Sequence, residues 1–178
     1  MPHSGMEVST MAGKISLVVR NVVFTFVVPG TGAILIPWRI LRRHPATPTQ
    51  WAALVPIALG AALYLWCVWV FASVGRGTPG PWDAPRNLVA VGPYRWVRNP
   101  IYIAALAVIL GEAWLFLSEP LLVYAGEAAI VCHLFVIEYE ERTLRRRFGK
   151  DYLAYTRTVN RWIPRRPKAE TGREVTLR

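Results

Sequence analysis

Residues 51–74 run for 24 positions without a single charged side chain. About 20 such residues suffice to cross the hydrocarbon core of a bilayer, and in lipid every backbone polar group must be satisfied within the segment. This run therefore predicts a membrane-spanning helix, and the rest of the chain has to fold around it. Ile15–Leu41 is also apolar, but Arg20 and Pro29-Gly30-Thr31-Gly32 break it, which predicts a kinked span or two half-helices. Ile101–Leu117 is a short span with Gly111-Glu112 as an expected interruption, and Ser118-Glu119-Pro120 is a tight turn. Leu121–Ile137 is a final span that continues without a breaker into Glu138–Phe148, outside the bilayer. Gly149 is expected to interrupt that helix, and Asp151–Val159 to form a short amphipathic one. The fold class that follows is an all-α, polytopic integral membrane protein. It has about four transmembrane helices and a C-terminal helical hairpin extending into the cytosol. Along the chain this gives a polar segment (1–14), a kinked span with a basic loop (15–49), a core (50–164) and a basic tail (165–178).

The chain of 178 residues carries 21 Lys and Arg against 11 Asp and Glu, a formal charge of +10. Where the charge lies decides what it means. Arg142, Arg145, Arg146, Arg147, Lys150, Arg157, Arg161, Arg165 and Arg166 cluster after the last span, and Arg76, Arg86, Arg95 and Arg98 lie between two apolar runs. Basic residues flanking spans mark the cytoplasmic side, beside anionic head groups. That reading excludes nucleic acid as a partner and puts membrane lipids in its place. It places both clusters in the cytoplasm with two spans between them, and leaves Arg39, Arg42 and Arg43 on the opposite side, against the usual bias. Cys67 and Cys132 fall inside apolar runs without metal-ligand spacing, so no disulfide framework and no metal site is expected.

Two segments carry chemistry. Gly75–Asn99 is rich in Gly and Pro and reads as a structured loop, ending in Gly92-Pro93-Tyr94-Arg95-Trp96-Val97-Arg98-Asn99-Pro100-Ile101-Tyr102. Asn99 and Pro100 are an N-cap and first-position pair. A helix starting there points unpaired N–H groups and its positive dipole end at an anion, with Arg95 and Arg98 adding charge. An ordinary capped helix with arginines reaching to head groups accounts for the same residues. The second segment spans Glu140-Glu141 to Trp162-Ile163-Pro164. His133, Ile137, Glu140, Leu144 and Phe148 share a helical face, which directs Glu140 inward, while Glu141 is free to pair with Arg145. An acid turned inward at the bilayer boundary is a functional candidate whose partner is a cation; an ion pair between Glu140 and an arginine of the 86–98 loop is the structural alternative.

With these motifs in hand, the sequence resembles the isoprenylcysteine carboxyl methyltransferase family, within the wider group of membrane methyltransferases that includes phospholipid methyltransferases. Gly92, Tyr94, Arg98, Pro100, Tyr102, Glu140, Glu141, Leu144, Phe148, Gly149, Tyr152, Tyr155 and Pro164 fit its pattern in order and spacing over roughly residues 50–164. The resemblance implies a helical membrane enzyme of prokaryotic type, in the cell (inner) membrane with its C-terminus cytoplasmic. It implies S-adenosylmethionine as methyl donor and a lipophilic small-molecule or lipidated acceptor. By resemblance the cofactor contacts are Arg86, Asn87, Leu88, Val89, Tyr94, Asn99, Pro100, Ile101, Tyr102 and Glu140; no catalytic residue is assigned.

Two departures narrow that expectation. The family's histidine before proline is Asn99 here, and its carboxylate-binding arginine is Val136. A phospholipid amine or a small thiol thus stands beside the prenylcysteine carboxylate as acceptor. A non-enzymatic membrane protein with a basic lipid- or partner-binding face is the remaining alternative.

Overall fold

The computed structural model describes residues 30–75 and 87–166. The expectations that fall on 1–29, on Arg76, on Arg86 and on the tail from 167 lie outside the described residues. Among the described residues every regular element is helical. A π-helical turn, Thr31–Leu35, runs into α1 (Ile36–Arg43). A 3-10 turn, Trp51–Ala53, leads into α2 (Leu54–Val70), which ends in a second π turn, Phe71–Gly75. After a 3-10 turn at Gly92–Arg95 come α3 (Pro100–Leu115) and α4 (Glu119–Phe135). A third π turn, Val136–Glu140, joins α4 to α5 (Glu141–Thr158).

Two of these helical stretches, Trp51–Val74 and Glu119–Thr158, are long and apolar enough to cross a membrane, while Pro100–Leu115 is apolar but shorter. Only 17% of the apolar window in either long helix is buried. A core helix of a soluble protein would be covered. Here Leu59, Leu65, Trp69, Ile130 and Val131 all turn outward, each more than 60% exposed. Apolar surroundings are what such a surface requires. The expected four spans reduce to these two and the shorter apolar helix, because most of Ile15–Leu41 lies outside the described residues.

The α2–α3 pair is the tightest contact in the fold, and glycine makes it so. A Cβ on Gly111 would meet Ile57 Cγ1 at 2.5 Å, and one on Gly60 would meet the Ala104 carbonyl at 2.8 Å. Without a hydrophobic drive between helices in lipid, small residues that let backbones approach supply the packing. Gly111-Glu112 therefore does not interrupt α3, contrary to expectation; the glycine is a contact surface inside a continuous helix. The α3–α4 turn uses Leu117 at φ 46°, and the Ser118 N–H donates to the Ala113 carbonyl at 3.0 Å. Opposite it, the N–H groups of Thr49 and Gln50 both donate to the Leu115 carbonyl, at 2.9 and 3.2 Å. Gly149, with φ 50° and ψ −117°, kinks α5 as its glycine predicted.

Gly60→Ala and Gly111→Ala should each lower thermal stability in detergent by about 1–3 kcal/mol, since backbone or a packed isoleucine must move. Gly126→Ala, with nothing within 4 Å of its new methyl, should leave the melting temperature unchanged. Melting curves of the three variants check this.

Candidate functional site

The loop before α3 is held against α2 by its own glycine. Gly92 sits at φ 57°, where a side chain is strained and where a Cβ would press on Val70 Cγ2 at 3.1 Å. This delivers Tyr94 into a buried cluster with Cys67, Val70 and Val89, edge-on to Phe71 with ring centroids 5.2 Å apart. The Tyr94 hydroxyl is buried beside the Cys67 thiol, and burial, with Cys67 and Glu140 nearby, pushes its pKa well above the ordinary tyrosine value.

Pro100 is the first residue of α3 and Asn99 stands at the N-cap position, as expected, but the Asn99 side chain makes no capping bond. Its Nδ2 instead donates to the Arg161 carbonyl at 3.1 Å. The reason is the return of the chain after α5, which lays a carbonyl beside Asn99 and draws its side chain away from the helix start. The Arg98 N–H donates to the Asn160 carbonyl at 2.9 Å, and the Arg165 N–H to the Trp96 carbonyl at 2.8 Å. Tyr155 donates its hydroxyl proton to the Tyr94 carbonyl at 2.7 Å.

Glu141 joins these segments. Arg161 forks onto its carboxylate at 2.6 and 2.9 Å, and Arg98 Nη1 lies 3.1 Å from Oε1. The ion pair falls on Glu141, not on Glu140, and reaches Arg98 and Arg161 in place of the expected Arg145 contact. Burial opposes ionisation of Glu141, yet the Arg161 hydrogen bond and the charges of Arg98, Arg161 and Arg145 hold its pKa below the ordinary carboxylate value.

Glu140, beyond the apolar stretch that ends at Ile137, points elsewhere. It shares with Leu88, Val89, Tyr94, Asn99, Ile101 and Tyr102 a small compartment of about 60 Å³, polar by its carboxyl, guanidinium, amide and hydroxyl groups on a largely apolar wall. Burial raises its carboxyl to about 7, against the hydrogen bond from Tyr102 and with help from the negative Glu141. Two residues given as site candidates stand off the compartment. Asn87 turns its Nδ2 to the Val74 carbonyl at 3.2 Å, and Pro100 is buried in the helix start. Phe71, Arg98, Leu144 and Tyr155 complete the walls. Of these, Arg98, Leu144 and Tyr155 belong to the recognised motif, though none was named as a cofactor contact, and nothing in the pattern pointed to Phe71.

A second, apolar cavity of about 380 Å³ lies among the first π turn, α2, α3 and α4. It extends from Tyr102 and Cys132 to Gly32 and Tyr124, where the Tyr124 hydroxyl donates to the Gly32 carbonyl at 2.7 Å. Ile101 and Tyr102 belong to both cavities, so one short stretch of α3 is their common wall. The three π turns of the described residues each border a cavity: Gly32 and Ala33 the apolar one, Phe71 and Glu140 the polar one. π turns recur at functional sites because the extra residue re-aims a side chain that a regular helix would turn away. Among the described residues no three His, Cys, Asp or Glu side chains cluster for a metal ion. The whole is a bipartite site, with Glu140, Arg98 and Asn99 on the small compartment and a larger lipophilic cavity beside it.

The family model described as phospholipid methyltransferase matches residues 48–151. No curated protein and no solved structure matches the chain.

Removing Glu141 strands two arginines, one of them almost wholly buried. Glu141→Gln should cost about 2–3 kcal/mol of stability, near the lower range for breaking a buried ion pair. The sign with pH follows from a lowered folded-state pKa: the contribution is present above the unfolded carboxyl value near 4.5 and is lost as pH falls through the folded one. Melting temperature should therefore drop on acidification below pH 4.5 in the wild type, and by less in the variant.

Proposed function

The chain belongs to the phospholipid methyltransferase family, and from that premise we propose that it transfers a methyl group from S-adenosylmethionine to a lipophilic acceptor within the membrane. The observation that carries the reading is the shared wall. Tyr102 and Ile101 separate a polar compartment from an apolar cavity, as a reaction between a water-soluble donor and a lipid-soluble acceptor requires.

The side chains suit the donor. Among the described residues, Arg98 Nε is a buried N–H without a partner beside the polar compartment, and the Tyr94 hydroxyl is buried there with only the weakly bonding Cys67 thiol near it. Buried donors of this kind cost stability unless something binds them. Arg98 and the uncapped start of α3 would take a carboxylate, and Glu140 would accept from an amine or hydroxyl. When bound, S-adenosylmethionine supplies an electrophilic methyl on a sulfonium. The compartment of about 60 Å³ has room for the amino-acid end of such a molecule, and its walls must part to take the remainder.

The protein's own part is to align two reactants and keep water out. Alignment alone contributes several kcal/mol to a bimolecular step. Tyr102, hydrogen-bonded to Glu140, holds the wall at the meeting point. The apolar cavity receives the chain of the acceptor and strips water from its head group. Two observations favour an amine, or else a thiol, over a prenylcysteine carboxylate. Val136, in the place of the family's carboxylate-binding arginine, is fully buried. Among the described residues, the only cation on either wall is Arg98, which lies on the donor compartment, so no cation lines the apolar cavity for an acceptor carboxylate. In this reading the donor site opens to the cytoplasm of a prokaryotic-type cell, on the side of the basic α5.

Calorimetry of the detergent-solubilised protein with S-adenosylhomocysteine tests the donor site. Glu140→Ala and Tyr102→Ala should each weaken binding about tenfold or more, the worth of one charge-assisted hydrogen bond; unchanged affinity in both variants would remove the site. Because an ionised Glu140 is the stronger acceptor and burial raises its carboxyl to about 7, affinity should rise between pH 6 and pH 8. Glu140→Gln should flatten that rise. Label from radioactive S-adenosylmethionine should pass to an ethanolamine lipid in preference to a prenylcysteine.

A further inference from the structure

The family match ends at residue 151, and the chain then does something the match does not describe. Residues 159–166 return across the site and are pinned on both sides of Trp162. Upstream, Asn160 and Arg161 offer their carbonyls to the Arg98 N–H and to Asn99 Nδ2, at 2.9 and 3.1 Å, and the Arg161 guanidinium forks onto Glu141. Downstream, the Arg165 N–H donates to the Trp96 carbonyl at 2.8 Å. A segment held at these points has little freedom in where it puts the side chain between them.

That side chain meets two others. The Trp162 indole N–H donates to His133 Nδ1 at 3.0 Å, with the two rings 5.9 Å apart. The indole also stands edge-on to Tyr102, with centroids 6.4 Å apart and planes at 70°. The His133 bond fixes the rotation of the indole, and the indole then limits the tilt of the Tyr102 ring. Trp162 is absent from the walls of both cavities, whereas Tyr102 is on both. Anything Trp162 does for the site therefore passes through Tyr102.

We propose that Trp162 is a positioning residue: the returning segment holds its ring against Tyr102, and this sets the Tyr102 hydroxyl on Glu140 and fixes the wall between the two cavities. The proposal rests on the reading that the polar compartment takes the methyl donor. The chemistry is ordinary. A tyrosine on the first turn of a helix, with open space on two sides, keeps several ring orientations unless a third surface excludes them. An edge-to-face partner excludes them at an energy of the right size to matter for binding.

The test uses the full chain in detergent, S-adenosylhomocysteine as probe, calorimetry for affinity and thermal melting for the fold. Trp162→Ala should weaken binding about fivefold, within the range that loss of one aromatic pair gives, while melting stays cooperative. Trp162→Phe, which keeps an aromatic ring beside Tyr102 but loses the His133 bond, should weaken binding by less than the alanine variant does. In a Tyr102→Phe background, which lacks the hydroxyl to be placed, adding Trp162→Ala should cost nothing further. A merely structural role gives the same fivefold loss in both backgrounds and overturns the proposal, as does wild-type affinity in Trp162→Ala. If the alanine variant does not melt cooperatively, Trp162→Leu, which fills the space without an edge, carries the same expectations. A wild type that binds no S-adenosylhomocysteine overturns the donor-site reading and this inference with it; a binding wild type with additive variants overturns this inference alone.

Discussion

Glu141 gathers three distant pieces of the chain at one point. It holds Arg98 from the loop before α3 and Arg161 from the segment after α5, and itself opens α5. Its side chain is only 13% exposed, so the charges face each other with little screening. A buried ion pair of this kind is weak evidence for net stability, because desolvation offsets much of the attraction. Its value here lies in register. Two arginines and one carboxylate satisfy each other in one arrangement, and that arrangement sets Tyr94, Asn99 and Tyr155 around the polar compartment. Glu141 therefore frees Glu140: Arg98 and Arg161 are on its neighbour, and among the described residues Glu140 faces the cavity without an ion-pair partner.

The membrane part follows a different rule. Apolar side chains facing outward contribute nothing to holding helices together when the surroundings are equally apolar. Close approach does that work, through Gly60 and Gly111 between α2 and α3. The same close packing leaves room elsewhere, between the first π turn, α2, α3 and α4, for a cavity lined mainly by small and aliphatic residues. Tight contact on one side of α3 and a void on the other make that helix the axis of the site, with its first turn shared by both compartments.

Much of the candidate site was legible in the sequence because its residues come in short, rigid frames. Gly92, Tyr94, Arg98 and Tyr102 lie within a few residues of one helix start, and Glu140 and Leu144 within one turn of another. Helical spacing directed Glu140 inward, and the family resemblance named Leu88, Val89, Tyr94, Ile101 and Tyr102 beside it before any coordinates. The errors have physical reasons. Asn99 holds the N-cap position that its sequence announced, but the Arg161 carbonyl that takes its side chain arrives from 62 residues away and no local signal shows it. Glu141 was paired with Arg145 by helical spacing, which says nothing of cations on other segments. Phe71 escaped notice because a π turn aims it, and no residue pattern announces an extra residue in a helical turn.

By itself the sequence determined that the chain is helical, that two of its helices are apolar over a bilayer's width, and that polar motifs sit at their ends. Hydropathy and periodicity are properties of single segments, and single segments were enough for that. Which acid pairs and which stays open, where the closing segment lays Trp162, and that two cavities share Tyr102 were decided only in three dimensions. Each depends on a contact between residues far apart in the chain, and such contacts are set by how the helices pack, not by the order in which the residues come.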